Sequence, residues 1–228
     1  MAQQQRGLKG FYIGLGAIAL VGVGALLWTR SSGGAPLTLD AVEPIALTGS
    51  GFEGYVLGSD TAPVTIIEYA DFECGACAQF ALLTAPDLKR RLVEAGRVRW
   101  IFRDFPLTSI HPNAVPAHHA AACAADQGRF WEMHDMLFFR HGQWVREARP
   151  ERQFSAYARA IGLEMAAYDE CMRDGRHLAR IRAIQQEGVE QGVSSTPTFF
   201  IGNQRVSDAL LYDELVPLVD RAAATPAQ

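Results

Sequence analysis

A short apolar run that ends in a cysteine pair constrains this chain more than any other stretch. Residues 64–69, V-T-I-I-E-Y, are β-branched and aromatic and read as a strand. Cys74 and Cys77 follow, separated by Gly75 and Ala76 alone. A helix starting at Cys74 aims its unpaired backbone N–H groups, and the positive end of its dipole, at the first sulfur. That lowers the thiol pKa and favours the reactive thiolate. Cys77, one turn on, is placed to resolve a mixed disulfide. The chemistry expected of this stretch is that of a redox dithiol. A zinc half-site and an inert structural disulfide are the alternatives. Zinc needs a second closely spaced Cys or Cys/His pair, and none stands out.

The rest of the composition sets the frame. A chain of 228 residues, 49% of them hydrophobic, can fill one sizeable core and still carry an insertion. Its formal net charge of −4, with both signs interspersed, offers no basic face to a nucleic acid. Cys123 and Cys171 complete a set of four cysteines, which allows three pairings.

The N-terminus reads as a membrane segment. Residues 1–10 are polar and carry Arg6 and Lys9, whereas Phe11–Trp28 is uncharged and almost wholly apolar, closed by Arg30. The run is just long enough for a thin bilayer, and the early positive charges favour the cytoplasmic side. The expectation is a cytoplasmic N-terminus at 1–10, a transmembrane anchor at 11–29, and a linker or extended arm at 30–58. A catalytic domain at 59–222 then faces the extracytoplasmic side of a single-pass cell-membrane protein, and 223–228 form a flexible tail. A cleavable signal segment is the rival, because residues 31–35 are small; a buried core helix is the second.

Within the domain, the cysteine helix is expected to run through Phe80 and past Pro86 towards Ala95, with Leu82, Leu88 and Leu92 supplying apolar contacts. Val98–Phe102 reads as a second strand. From about 112 to 192 the pattern turns helical, starting with an alanine-rich stretch at 114–126. Strand character returns at Thr198–Ile201, Gly202–Gln204 reads as a hairpin turn, and 209–220 reads as a closing helix with an interior Pro217. Cys123 and Cys171 fall on different helices of the insert. Helices at ordinary packing distance can join them, for roughly 3–4 kcal/mol of loop restriction; two buried free thiols are the alternative. His111, His118, His119 and His134 are expected in surface or packing roles, and Trp131, Phe138 and Phe139 in the core rather than in a ligand box. Asp71 and Glu73 read as rim charges that oppose strong acidity at Cys74. Thr196-Pro197-Thr198 places a rigid proline without an N–H directly before a strand. In the cis form that proline turns the chain sharply and exposes neighbouring backbone.

Three stretches carry a family resemblance: L-G-S-D-T-A-P-V-T-I-I-E-Y-A-D-F-E-C-G-A-C, A-A-C-A-A-D-Q-G-R-F-W-E-M-H-D and G-V-S-S-T-P-T-F-F-I-G, within residues 57–202. Together they resemble the membrane-anchored, DsbA-like (BdbD-type) thiol-disulfide oxidoreductases of the thioredoxin superfamily. The resemblance implies an α/β, thioredoxin-like fold with an inserted helical domain, here preceded by the transmembrane helix. It implies that Cys74 is the nucleophile, Cys77 the buried resolving cysteine, Pro197 a cis-proline facing the pair, and Thr196 a backbone partner for an extended substrate. It aligns Glu68 with a buried acid behind the resolving cysteine. The Gly75-Ala76 dipeptide departs from the Pro-His of strongly oxidising relatives and from the Gly-Pro of thioredoxin.

The function expected from all this is a protein dithiol oxidase that introduces disulfides into exported proteins, without metal or organic cofactor. Its partners by resemblance are unfolded, cysteine-containing exported chains and a quinone-linked membrane reoxidase of the DsbB or VKOR type. A reductase or isomerase is the alternative in the same class. A chaperone or assembly factor that uses the same groove is the alternative in another.

Overall fold

The run that opens the motif becomes the middle of a sheet. In the computed structural model, which describes residues 40–42 and 51–225, strand β3 (Val64–Ala70) is paired on both sides. It runs parallel to β4 (Val98–Asp104) and antiparallel to β5 (Thr198–Ile201). A strand buried on both faces favours β-branched and aromatic residues throughout, which explains V-T-I-I-E-Y-A. Hairpin partner β6 (Gln204–Val206) follows β5 after a turn at Gly202, whose φ of 59° suits glycine. The expected turn at Gly202–Gln204 is one residue shorter, because Gln204 already pairs with Ile201.

Two short strands come from the region expected as a linker. β1 (Asp40–Ala41) pairs with β6, and β2 (Tyr55–Leu57) pairs with β4, giving the order β1-β6-β5-β3-β4-β2. The sheet thus begins upstream of residue 59.

Helix α1 (Gly75–Leu83), helix α2 (Ala85–Leu88) and a wide π turn at Lys89–Val93 carry the chain from β3 to β4. Pro86 sits in the first turn of α2, where its missing N–H breaks no bond. The insert follows β4: α3 (Ala114–Ala125), α4 (Phe130–Phe139), α5 (His141–Trp144), α6 (Glu151–Ala160), α7 (Met165–Asp174) and α8 (Leu178–Glu190). α9 (Tyr212–Ala224) closes the domain, starting later than sequence patterning suggests but still enclosing Pro217.

Alternation along β3 divides the core. Ile67 and Tyr69 pack with Ile101, Phe105, Phe200 and Ile184 of α8. Gly188 of α8 has no room for a side chain there, since a Cβ would lie 2.8 Å from the Phe105 ring. On the other face, Ala70 joins Phe72, Cys77, Phe102, Phe130 and Phe138. The alanines of α3 are buried in that same cluster; small side chains let the helix run through the middle of the insert. A buried ion pair between Arg103 of β4 and Glu187 of α8, 2.7 Å apart, ties the insert to the sheet.

Several expectations are corrected. Among the described residues no helix is long and apolar enough to cross a membrane. The longest, α8 and α9, have 13 residues each, against the roughly 20 a bilayer requires, and both carry charges. The predicted anchor at 11–29 and the cytoplasmic segment 1–10 lie outside the described residues. The described residues form the α/β thioredoxin-like domain with inserted helices, and the expected membrane-anchored, single-pass, extracytoplasmic form finds no membrane-spanning helix among them. Leu82 and Phe139 are also not core residues: they are 46% and 67% exposed, on the outward faces of α1 and α4.

Candidate active site

The site is built where β3 stops and α1 begins. Cys74 is the residue before the helix, with extended backbone (φ −73°, ψ 126°), and its side chain makes no capping bond. Its sulfur is therefore left to other partners. The loop that delivers it is fastened from several directions. Asp71 accepts from the Glu73 N–H at 2.8 Å and the Leu107 N–H at 2.7 Å, and pairs with His111 Nδ1 at 2.8 Å. Glu73 Oε2 accepts from the Asn113 N–H at 2.6 Å, while His141 Nε2 donates to the Glu73 carbonyl at 2.9 Å. His118 accepts from the Phe72 N–H and donates to Asp104 across 2.6 Å.

Asp71 and Glu73 are thus buried structural acceptors, not rim charges. Sequence reading misplaced them because an acid beside a reactive cysteine looks exposed until its backbone N–H partners are known. His118 and His134 are buried as well, each against a carboxylate.

The two cysteines differ sharply in environment. Cys74 keeps 8% of its surface, a narrow opening, and Cys77 keeps none. The Cys74 thiol donates to the Thr196 carbonyl at 3.3 Å, next to the cis Thr196–Pro197 bond. The structure thereby brings together β3, the start of α1 and the segment before β5. Cys74 is pulled down to about 5, first by hydrogen bonding from the Cys77 thiol, against the opposing effect of burial. The Thr196 side chain and the backbone N–H groups of Ala76 and Cys77 add to the fall. Thr196 Oγ1 is buried with no hydrogen-bond partner among the described residues while Cys74 is protonated; once the thiolate forms, this side chain stabilises it. The Thr196 carbonyl acts the other way, because it accepts from the S–H and gives a thiolate nothing. The Cys77 donor and the helix N–H groups outweigh it. Cys77 itself is pushed well above the ordinary thiol range, chiefly by burial.

Glu68 lies on the Cys77 side of the sheet, 1% exposed. Burial raises its carboxyl to about 8, moderated by a 2.9 Å hydrogen bond from Trp100 Nε1 and the charge of Lys89. A Glu68 carboxylate would in turn raise Cys77 further. Lys89 sits 5.8 Å from the Trp100 ring centre and 2.6 Å from Asp135, which also binds His134. Trp100 and Lys89 escaped sequence reasoning. Lys89 had a signal: Lys9 and Lys89 are the only lysines in a chain that otherwise uses arginine.

Away from this site, Cys123 of α3 and Cys171 of α7 form a disulfide across 48 positions of sequence.

Comparison with known proteins agrees with this architecture. BdbD from Bacillus subtilis superposes with a TM-score of 0.70 at 19% identity, covering 82% of this chain and all of that one. Wolbachia pipientis alpha-DsbA1 gives 0.67 at 20% identity, covering 78% and 96%. A thioredoxin-like oxidoreductase from Silicibacter pomeroyi gives 0.64 at 22%, covering 80% and 100%. At such identities the likeness speaks for the fold. In sequence, the chain is 40% identical over 151 residues to a Na(+)/H(+) antiporter NhaA 3 of Salinispora tropica, across 66% of this chain but 22% of that protein. This chain therefore spans about a fifth of the length of such curated relatives. The Thioredoxin family model matches residues 52–221, which takes in the sheet from β2, the cysteine helix, the whole insert and most of α9; by that match the chain belongs to the Thioredoxin family.

Proposed function

We propose that this protein is a dithiol oxidase acting on protein thiols, within the thiol-disulfide oxidoreductase activity that its fold and cysteine pair support. The observation that carries the direction is the asymmetry of the pair: Cys74 held as thiolate, Cys77 buried as thiol. In the oxidised enzyme a substrate thiolate attacks Cys74 Sγ, and the Cys74–Cys77 bond breaks. Cys77 leaves with the electron pair and takes a proton; the protonated Glu68 carboxyl on its side of the sheet is the donor we assign. A second substrate thiolate then attacks the substrate sulfur of the mixed disulfide and expels Cys74. A sulfur whose pKa is about 5 is a good leaving group and needs no proton. The substrate departs with a disulfide, and the enzyme holds both electrons until a separate redox partner accepts them. The Thr196 carbonyl, already in contact with Cys74, is placed to meet the backbone of an extended substrate.

The experiment is trapping with a reduced, unfolded client. Cys74→Ser should form no adduct. Cys77→Ser, supplied as an activated mixed disulfide at Cys74, should pass through a Cys74–client adduct visible on non-reducing gels. Adducts that map to Cys77 would reverse the assignment. A wild-type protein that exchanges with no client would sink the oxidoreductase reading and favour a binding role for the exposed Leu82, Leu83 and Phe139.

A further inference from the structure

His119 and Cys123 lie four residues apart on α3, so they share one face of the helix. This is a closely spaced Cys/His pair that sequence reading passed over. His119 Nε2 is 3.5 Å from Cys123 Sγ, already the separation of two ligands on one tetrahedral ion. A ring nitrogen of His119, Cys123 Sγ and Cys171 Sγ all lie within 4.8 Å of one another. A second set shares the same sulfur: Asp126, Cys171 and His177 also offer atoms within 4.8 Å of each other. His177 Nε2 is fixed by Asp126 at 2.9 Å, the carboxylate–histidine arrangement that orients metal-binding imidazoles. His119, Cys123 and Cys171 are all nearly or fully buried, and His177 is 8% exposed. The mechanism proposed for the Cys74–Cys77 pair uses none of these groups.

We propose that reduction of the Cys123–Cys171 disulfide converts this cluster into a zinc site, with Cys123, Cys171 and His119 as ligands and the fourth position filled from the Asp126–His177 pair. The balance is simple. A dithiol gives two electrons and two protons to the disulfide and becomes a disulfide itself. Zn2+ then displaces the two protons from Cys123 and Cys171. Arg176, which pairs with Asp126 at 3.2 Å, is the positive charge that opposes the ion. Two thiolates and one carboxylate outnumber it. The disulfide and the metal are then alternative clamps between α3 and α7, one for oxidising and one for reducing conditions.

The test uses the full chain with Cys74→Ser and Cys77→Ser, which removes the other thiol pair. The protein is unfolded with excess dithiothreitol, then refolded without oxygen, with and without Zn2+ or Co2+. The result expected is one equivalent of Co2+ with the charge-transfer and d–d bands of a tetrahedral thiolate site, and a higher Tm with Zn2+. The same protein with its disulfide intact should show neither. His119→Gln still forms the disulfide, so it can be purified folded and then reduced. It should weaken metal binding about tenfold or more. Reduced protein that refolds equally with and without metal, or in neither case, overturns the proposal. So does cobalt binding that His119→Gln leaves unchanged, because the metal would then be held by thiols alone.

Discussion

The ionisation of Cys74 admits a sharp test, provided the pH is chosen from the magnitudes. With a pKa of about 5, Cys74 is about 99% thiolate at pH 7, against about 3% for an ordinary thiol at about 8.5. That roughly 30-fold gain in population is nearly cancelled in rate. Nucleophilicity falls with basicity at a slope of about 0.4–0.5, so the shift costs about 25–55-fold per thiolate. A single alkylation rate at pH 7 therefore says little. At about pH 5.5 the populations differ by roughly 760-fold, and the net advantage is about 15–30-fold. The assay is the full pH profile of iodoacetamide alkylation, followed by intact mass. The perturbation is Cys77→Ala beside Cys77→Ser; with Cys123 and Cys171 joined, each leaves Cys74 as the single free thiol. The Cys77 thiol is the largest cause of the lowered value. Removing the donor in Cys77→Ala should raise the midpoint, whereas Cys77→Ser, which keeps an O–H, should hold it low. A wild-type midpoint at the ordinary value, or a Cys77→Ala midpoint still at about 5, refutes the reasoning.

The same ionisation should bend the reduction potential of the pair: about 59 mV per pH unit below about pH 5, where two protons accompany two electrons, and about 30 mV above it; an unbroken steep line to pH 8 contradicts it. Glu68 has a raised folded pKa of about 8, so its favourable contribution is complete below the unfolded value and is lost as pH rises through about 8. Denaturation of the oxidised protein should accordingly show Glu68→Gln gaining on wild type with increasing pH across that window, by on the order of 1 kcal/mol per unit; a constant difference rejects it. Replacing Cys123 and Cys171 together by alanine should cost about 4 kcal/mol in urea denaturation for a closed loop of 48 residues, and an unchanged midpoint would show the bridge to be redundant.

What sequence could and could not convey follows from the range of the interactions. β3 is legible because a strand buried on both faces must be apolar and β-branched along its length, and V-T-I-I-E-Y-A is. The helix after Cys74 is legible because its start carries its own chemistry. The pairing of Cys123 with Cys171 could be posed as an option, but the juxtaposition of α3 and α7 is tertiary. Asp71 was misread because its partners, Leu107 and His111, lie 36 and 40 positions away. Trp100 meets Glu68 only through the parallel register of β3 and β4. Leu82 and Phe139 look like core in any hydropathy pattern; their exposure depends on which faces of α1 and α4 the tertiary packing covers. β1 and β2 are two and three residues long, too short to carry a periodicity.

The choice between oxidase and reductase comes down to what each sulfur must do in each direction. Holding Cys74 at about 5 stabilises the reduced pair by about 3 kcal/mol at pH 7, which is roughly 60 mV towards an oxidant. The raised Cys77 does not offset this, since an ordinary thiol is already protonated at that pH. Run as an oxidase, the first step expels Cys77, which needs a proton, and Glu68 is still protonated at pH 7 to give one. The second step expels Cys74, which needs none. Run as a reductase, the demands invert. Cys74 must attack as a thiolate of low basicity, and Cys77 must then lose its proton inside the core, at a cost of at least about 2 kcal/mol at pH 7. The neutral Glu68 cannot take that proton, and once ionised it would repel the Cys77 thiolate. Hydrogen bonding at Cys74 therefore arms the step that releases an oxidised substrate, while burial of Cys77 obstructs the step that would release a reduced one.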